Sequence, residues 1–174
     1  MNLYREHLAT VVKRADSALA VGGFDHLVIA AGIEKYRFLD DMPYPFKTNP
    51  QFKYWLPLTT HPHSWIIHTP GKRPSLVYYQ PDDYWHVPPS APEGDWVEHF
   101  GIHTITSPEQ AAKFLPLGKS AIIGQPDAAI GEFPPNNPAA VIHHLHFHRA
   151  FKTAYELNLM RKAQRKGVHG HLAA

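Results

Sequence analysis

The amino-acid sequence predicts an α/β domain in which a mixed β-sheet is flanked by helices. Roughly five short apolar runs, each of the length of a buried strand, alternate with four or five segments of helical periodicity. The 174 residues are 44% hydrophobic, which suffices for one domain with a single core. The 17 prolines and 11 glycines are spread along the chain, so they predict long, ordered loops rather than a disordered segment.

The N-terminal segment predicts a helix followed by a buried strand. Residues 2–21 place Leu8 and Leu19 in one apolar stripe at helical spacing, and Gly22 is typical of a helix end. The apolar run at 26–31 has the length and composition of a strand buried on both faces. This order indicates a helix that packs on a sheet.

Residues 36–58 form the most unusual segment of the sequence. Its prolines, among them Pro50 and Pro57, argue against a regular helix and interrupt any central strand. The segment is nevertheless rich in aromatic residues, which are costly to leave in water. We therefore expect a proline-stiffened loop whose aromatic side chains pack on a partner, with self-association of the chain or disorder over 40–52 when that partner is absent.

The middle of the chain predicts a strand pair, then a second proline-rich loop. Residues 64–69 and 75–80 alternate as strands do, with a Pro- and Gly-containing turn between them. The loop at 80–95 leads into a short helix expected within 93–100. Residues 101–106 are then expected to form another strand.

The last third predicts three helices and one strand. Ser107 is expected to cap a short helix that ends near Phe114, with Gln110 reaching back to its start. After a strand at 120–124, Asn137 is expected to cap a helix over 139–151. The pattern Thr153-x-x-Glu156 is a capping box, and it predicts a helix from there to about residue 174.

Charge and composition exclude several classes of protein. The chain contains no cysteine, which removes disulfides and thiolate sites and is compatible with the reducing cytoplasm, the compartment we expect. The N-terminus resembles neither a signal peptide nor a membrane span. Residues 149–174 carry a net positive charge, which suits a solvated helix face, whereas residues 1–148 are mildly acidic. We therefore expect neither a nucleic-acid nor a membrane partner.

The chain has 14 histidines, and four of them fall in one predicted helix: His143, His144, His146 and His148. His144 and His148 stand at i and i+4, so both imidazoles could approach one metal ion. A zinc site also needs a third ligand and an oriented second shell, and no HExxH pattern is present. We interpret these residues as surface or interface histidines, and the sequence assigns them no function.

Other candidate ligands lie in loops. His61 and His63 flank a proline that holds them extended, so their side chains are expected to diverge. The pairs Asp40-Asp41 and Asp82-Asp83 resemble material for a two-metal site, but adjacent side chains usually point apart. A polar anchor within the loop, or contact with a ligand amine, is the favoured interpretation of these aspartates.

Three stretches resemble a known family. FLDDMPYPFKTNPQFKYWLPL at 38–58, YYQPDDYWH at 78–86 and HFHRAFKTAYELNLMRKAQ at 146–164 are similar to the N-terminal, creatinase-like domain of bacterial Xaa-Pro dipeptidase (prolidase). The resemblance covers essentially the whole chain. Organophosphorus acid anhydrolases share these motifs, so the sequence does not separate the two names.

The resemblance implies an architecture larger than this chain. Its members have a small α/β domain of ribonuclease-H-like topology, followed by a pita-bread catalytic domain with two manganese ions. Residues 1–150 are therefore expected to be the N-terminal domain, and residues 151–174 the first helix of a truncated catalytic domain. The metal ligands of the family follow the point that corresponds to Ala174. The resemblance thus implies no catalytic or metal-binding residue here, and a fragment that is inactive alone.

The resemblance also implies a role for three residues in the binding of a dipeptide with C-terminal proline. Asp41 is expected to approach the free amino end of the substrate bound to the neighbouring subunit of a homodimer. Tyr44 and Trp85 are expected to wall a small pocket. A stand-alone, non-catalytic interaction module is the alternative function, in which the same aromatic loops would bind a partner.

Overall fold

The computed structural model describes residues 2–82, 84 and 87–173. In that part of the chain five strands alternate with helices, which confirms the predicted α/β class with a mixed sheet. The α-helices are α1 (Leu3–Gly22), α2 (Pro50–Trp55), α3 (Ala139–Arg149) and α4 (Ala154–Ala173). The strands are β1 (His26–Ala30), β2 (Trp65–His68), β3 (Ser75–Tyr79), β4 (Gly101–Ile105) and β5 (Ser120–Ile123). Short 3-10 helices span Val97–His99, Pro108–Lys113 and Pro126–Ala128.

The five strands form one sheet in the order β4-β3-β2-β1-β5. β2 is antiparallel to both of its neighbours, β1 and β3, whereas β3–β4 and β1–β5 are parallel pairs. Consequently β1, β3, β4 and β5 all run in one direction, and their carboxyl ends lie along a single edge of the sheet. We call this the carboxyl edge.

The two faces of the sheet are covered by different elements. Because successive strand residues point to opposite faces, Leu27 and Ile29 join a core with α1 and α3, while Val28 and Ala30 join a second core with the Pro108–Lys113 helix. The side chains of β1 are almost fully buried on both faces. The apolar run at 26–31 therefore encoded a central strand, as predicted.

The helix at the N-terminus begins and ends as its sequence indicates. The Asn2 side chain accepts hydrogen bonds from the amides of Tyr4 and Arg5, which caps the first turn. Gly23 adopts a left-handed conformation with φ of 71°, which favours glycine at a helix end.

The expectation that prolines exclude a helix from residues 36–58 is wrong for its second half. Pro50 occupies the first turn of α2, where a missing amide hydrogen costs nothing. Phe52, Tyr54 and Trp55 are buried in the core of this chain. These three rings therefore need no external partner. The exposed aromatic side chains of the segment, Tyr36, Phe38 and Tyr44, all precede Thr48, and Phe46 is half-buried.

Two predicted caps are wrong. The side chain of Ser107 makes no capping hydrogen bond, and the helix that follows is a 3-10 helix; Gln110 does reach back and accepts from the amide of Thr106 at 3.1 Å. Asn137 does not cap α3, which starts after Pro138 without a side-chain cap. Its amide instead bonds the backbone of Gly124, with Nδ2 2.9 Å from the carbonyl oxygen.

Asn136 and Asn137 cover the outer edge of β5. The Asn136 side chain accepts from the amide of Ile122 and donates to the carbonyl of Ser120, both at 2.9 Å. Asn137 bonds Gly124 in the same way, so two side-chain amides replace the neighbouring strand that this edge lacks.

The predicted capping box at the start of α4 is confirmed. The Thr153 amide donates to Glu156 Oε2 at 2.9 Å, and the Glu156 amide donates to Thr153 Oγ1 at 3.3 Å. No described residue of α4 is buried, and Leu157 and Met160 face solvent. Within the described residues, no helix has the length and apolarity that crossing a membrane requires.

Candidate functional site

The two proline-rich loops noted in the sequence both lie at the carboxyl edge of the sheet. The loop at 31–49 follows β1, and the loop at 80–96 follows β3. Both strands are antiparallel to β2, which lies between them, so both loops leave the sheet on the same side. Ligands of α/β sheets commonly bind outside the carboxyl ends of strands.

Residues 35–44 of the first loop form a small hairpin, which we call the acidic hairpin after the two aspartates at its tip, Asp40 and Asp41. The Tyr44 amide donates to the Lys35 carbonyl at 2.7 Å, and the Arg37 amide donates to the Met42 carbonyl at 3.1 Å. At the tip, Leu39 has a φ of 57°, in the left-handed region that a bulky residue seldom adopts. The Asp40 carboxylate accepts from the Met42 amide at 3.0 Å and so stabilises the turn.

The structure places two of the three predicted substrate-binding residues on the acidic hairpin. Asp41 lies at the exposed tip, inside the turn that Asp40 closes on the Met42 amide. Tyr44 lies at the base of the hairpin and is 56% exposed, with the Arg37 guanidinium 5.7 Å from its ring centroid. Trp85, the third predicted residue, lies outside the described residues, so its place in the pocket stays a prediction.

The acidic hairpin is fastened to the body at its base. Lys35 Nζ lies 3.1 Å from Asp127 Oδ2 in the Pro126–Ala128 helix. Downstream, the Asn49 side chain donates to the Ala30 carbonyl at 3.0 Å, at the point where β1 ends. The burial of α2 then holds the end of the loop in the core. The loop at 31–49, from which the hairpin projects, is therefore held at both of its ends, by β1 and by α2.

The tip of the acidic hairpin is apolar as well as acidic. Phe38 and Leu39 are 92% and 91% exposed, and Met42 is also exposed. Large apolar side chains that project together mark a surface where another molecule binds. This chain supplies no cover for them in its described part, so the tip has the properties of a contact site.

A cavity of about 280 Å³ lies at the carboxyl edge beside the hairpin base. Its lining includes His63, Trp65, Glu109 and Asp127. Burial lowers the pKa of His63 below its ordinary value, although the carboxylates of Glu34 and Glu109 partly oppose this effect. This shift favours the neutral imidazole of His63. The cavity is also lined by the carboxylates of Glu109 and Asp127, the second of which pairs with Lys35.

The two histidines before β2 diverge, as the sequence predicts. The expectation that Pro62 holds them in an extended segment is wrong, because residues 62–63 form a turn in which His63 has a φ of 57°. The His61 ring lies 5.2 Å from the ring of Tyr78, and the His63 ring lies 5.2 Å from that of Tyr79. Because Tyr78 and Tyr79 are neighbours in β3, they point to opposite faces of the sheet. The two imidazoles therefore do not share a ligand.

The histidines of α3 form a pair but not a metal centre. The rings of His144 and His148 lie 4.5 Å apart, as their spacing indicates. Burial lowers the pKa of His148, and the nearby imidazole of His144 and guanidinium of Arg14 lower it further. Across residues 2–82, 84 and 87–173, no group of three or more His, Asp or Glu side chains is arranged to hold a metal ion.

Sequence reasoning missed two buried histidines that join separate elements. His68 Nε2 lies 2.7 Å from Asp16 Oδ1 of α1, inside the core. His7 bridges the Tyr54 carbonyl and the Thr153 hydroxyl, at 2.7 and 2.8 Å. The apolar stripe of α1 was the available signal, because His7 lies one turn before the buried Val11.

The fold and the site define a class: an α/β domain that presents an acidic and apolar hairpin at the carboxyl edge of a mixed sheet. The family model of the Xaa-Pro dipeptidase N-terminal domain matches residues 2–147. The chain belongs to this family.

Curated relatives agree with the family. A Xaa-Pro dipeptidase of Stenotrophomonas maltophilia (strain K279a) is 56% identical over 99% of this chain, and the match covers 39% of that relative. A Xaa-Pro dipeptidase of Xanthomonas campestris pv. campestris (strain B100) is also 56% identical, with 99% of this chain and 40% of the relative covered. A third, from Xanthomonas oryzae pv. oryzae (strain MAFF 311018), is 53% identical, with 99% and 40% covered. The chain thus spans about two fifths of the length of these relatives.

Proposed function

We propose that this chain is the N-terminal domain of a metal-dependent Xaa-Pro dipeptidase, a cytoplasmic enzyme that hydrolyses dipeptides with C-terminal proline. In this proposal the domain has two roles, dimerisation and capping of the active site. The observation that carries it is the acidic hairpin, which projects an exposed carboxylate and apolar side chains away from the body. The names and the greater length of the relatives support the same assignment.

The dimerisation role follows from the exposed apolar surface of the hairpin. Phe38 and Leu39 contribute apolar area that a second subunit would remove from water, at about 25 cal/mol per Å². A hairpin fastened at both ends loses little conformational entropy on binding, so more of that gain remains as affinity. We therefore expect the hairpin to reach the active site of the neighbouring subunit and cover it.

Asp41 is the proposed contact for the free amino group of the substrate. A dipeptide carries an ammonium group at one end, and a carboxylate attracts it strongly where water is partly excluded. Asp40 is committed to the Met42 amide, which leaves Asp41 as the tip carboxylate that can face a ligand. Tyr44 and Trp85 would limit the size of the pocket to a dipeptide.

The proposed metal chemistry belongs to another part of a longer protein. The described side chains do not fit a centre of two manganese ions, since they contain no suitable group of ligands. We propose that residues 151–174 are the first helix of the catalytic domain. The exposed apolar side chains of α4, such as Leu157 and Met160, would then pack on that domain. The 174-residue chain alone is accordingly expected to be inactive.

Substrate variation in the full-length enzyme tests the role of Asp41. Asp41→Asn should lower kcat/KM for Gly-Pro by about tenfold to a hundredfold, the loss expected for one charge-assisted contact. The metal content should not change. With a Gly-Pro analogue whose amino group is acetylated, parent and variant should react equally slowly. Glu132→Gln, which removes an exposed carboxylate elsewhere, serves as the control. An unchanged kcat/KM for Gly-Pro in Asp41→Asn would remove Asp41 from the pocket.

Two measurements on the 174-residue chain test the rest of the proposal. Incubation with Mn²⁺ and Gly-Pro should release no proline, and measurable turnover would show that a catalytic centre lies within this chain. Sedimentation velocity should detect self-association that the double variant Phe38→Ser, Leu39→Ser weakens. Equal sedimentation of the parent and the variant would show that the hairpin does not contribute to dimerisation.

A further inference from the structure

The start of α4 is joined to the body through one buried imidazole. His7 is 3% exposed, and each of its ring nitrogens has a partner on a different element. Nε2 lies 2.7 Å from the carbonyl oxygen of Tyr54 in α2, and Nδ1 lies 2.8 Å from the hydroxyl of Thr153, just before α4. Because His7 belongs to α1, a single side chain connects three helices.

The chemistry of the partners fixes the proton positions on His7. A carbonyl oxygen only accepts, so Nε2 carries the hydrogen and donates to Tyr54. In the neutral ring, Nδ1 is then an acceptor for the Thr153 hydroxyl, 2.8 Å away, and Glu156 Oε2 is a second acceptor for the same hydroxyl at 3.2 Å. Burial lowers the pKa of His7, more than the Tyr54 carbonyl and the Glu156 carboxylate raise it, which favours this neutral form.

The other attachments of helix α4 to the body also lie near its start, where Arg14 of α1 donates to the Phe151 carbonyl at 3.1 Å. None of its described residues is buried. Its ring contacts come from Tyr155, whose centroid lies 5.1 Å from that of His7 and 5.4 Å from that of Tyr4. Both the hydrogen bond and the ring contacts therefore act on the first turn. The 20-residue helix extends for about 30 Å from there, so a rotation of about 10° in the first turn would move its far end by about 5 Å.

We propose that His7 is a positioning residue that sets the direction of α4 relative to the α/β body. The capping box of Thr153 and Glu156 starts the helix, and the His7–Thr153 bond orients it. The direction of α4 does not depend on the proposed enzymatic activity. If that activity also holds, His7 would fix the angle between the acidic hairpin and the domain that packs on α4.

Two substitutions separate orientation from helix capping. His7→Gln places an amide donor where Nε2 lies and so keeps the bond to the Tyr54 carbonyl, but it has no acceptor at the position of Nδ1. Thr153→Val removes both the His7 bond and the cap, whereas Thr153→Ser keeps the hydroxyl. Thr10→Val serves as a control, because the Thr10 hydroxyl bonds only the carbonyl of Glu6 within α1.

The absence of cysteine allows the direction of α4 to be measured directly. Nitroxide labels at Val21→Cys on α1 and Lys166→Cys on α4 report the distance between body and helix by pulsed electron paramagnetic resonance. The parent, Thr153→Ser and Thr10→Val should each give one narrow distance distribution. His7→Gln should lose this narrow peak, with unchanged helix content by circular dichroism.

The distance distributions of the variants show which result would refute the proposal. A narrow distribution in His7→Gln at the parental distance would overturn the proposal, whatever Thr153→Val shows, because the cap alone would then orient α4. If His7→Gln does not fold, then Thr153→Val decides. A narrow parental distribution in that variant would show that neither bond of the hydroxyl is needed to orient the helix.

Discussion

Replacement of Asn136 by alanine tests the idea that side-chain amides take the place of a neighbouring strand along the open side of β5. The Asn136 amide makes two hydrogen bonds to β5, both at 2.9 Å, to the Ile122 amide and the Ser120 carbonyl. Alanine removes the side-chain amide that both bonds need. The Ile122 amide and the Ser120 carbonyl then stay behind without this partner in a nearly buried strand. The prediction therefore isolates the contribution of the amide from that of the sheet.

The expected loss follows from the two broken bonds. Each hydrogen bond contributes about 1 kcal/mol, and a backbone group left without a partner costs about 1–3 kcal/mol. We expect Asn136→Ala to lower the free energy of unfolding by about 3 kcal/mol, between these limits. For a domain of this size that corresponds to a decrease in Tm of roughly 6–12 °C.

Urea denaturation and differential scanning calorimetry measure this loss. Asn158→Ala, a change of the same residue type at a partly exposed position of α4, is the matched control. Asn136→Asp keeps the acceptor for Ile122 but loses the donor to Ser120, so its effect should also be destabilising. If Asn136→Ala and the control agreed within about 0.5 kcal/mol, which is the usual scatter of surface substitutions, the edge-completion argument would be refuted.

Three further predictions concern the core and its response to pH. Burial lowers the pKa of His7 and His68 from the ordinary 6.5, so the unfolded chain binds protons that the folded chain does not. The free energy of unfolding should therefore be constant above about pH 7 and fall as the pH drops below 6.5. Urea titrations that show no such fall would contradict this prediction. Gly124→Ala should cost about 1–3 kcal/mol by overpacking, since a Cβ there would lie 2.9 Å from that of Ala30; an unchanged urea midpoint would contradict the close approach. Tyr4→Phe should cost about 1–2 kcal/mol, because it leaves the Trp55 carbonyl without its 2.7 Å donor, and thermal melts of the two proteins measure the difference.

The elements that the sequence predicted well are those whose signals are local. The strand at 26–31 is a continuous apolar run, and the Thr153–Glu156 box places donor and acceptor three residues apart. Neither pattern needs information from distant parts of the chain. The same reasoning located Asp41 and Tyr44 on one loop, although their role came from the family resemblance.

The features that sequence reasoning missed depend on distant partners. Asn137 has the composition of a helix cap, but its amide is engaged by Gly124, and no local pattern states that this residue lies beside an edge strand. Pro50 was interpreted as a helix breaker, yet at the first position of α2 it is favourable. The His7 bridge joins residues 146 positions apart, a separation that no periodicity reveals.

The two fixed ends of the acidic hairpin have an evolutionary consequence. The bond between Tyr44 and Lys35 closes its base, and the side chains at Phe38, Leu39 and Met42 add nothing to the core. Selection can therefore alter what the tip recognises without a compensating change in folding stability. A combinatorial library confined to residues 38, 39, 41 and 42, which keeps the turn that Asp40 stabilises, would sample new specificities on the same scaffold.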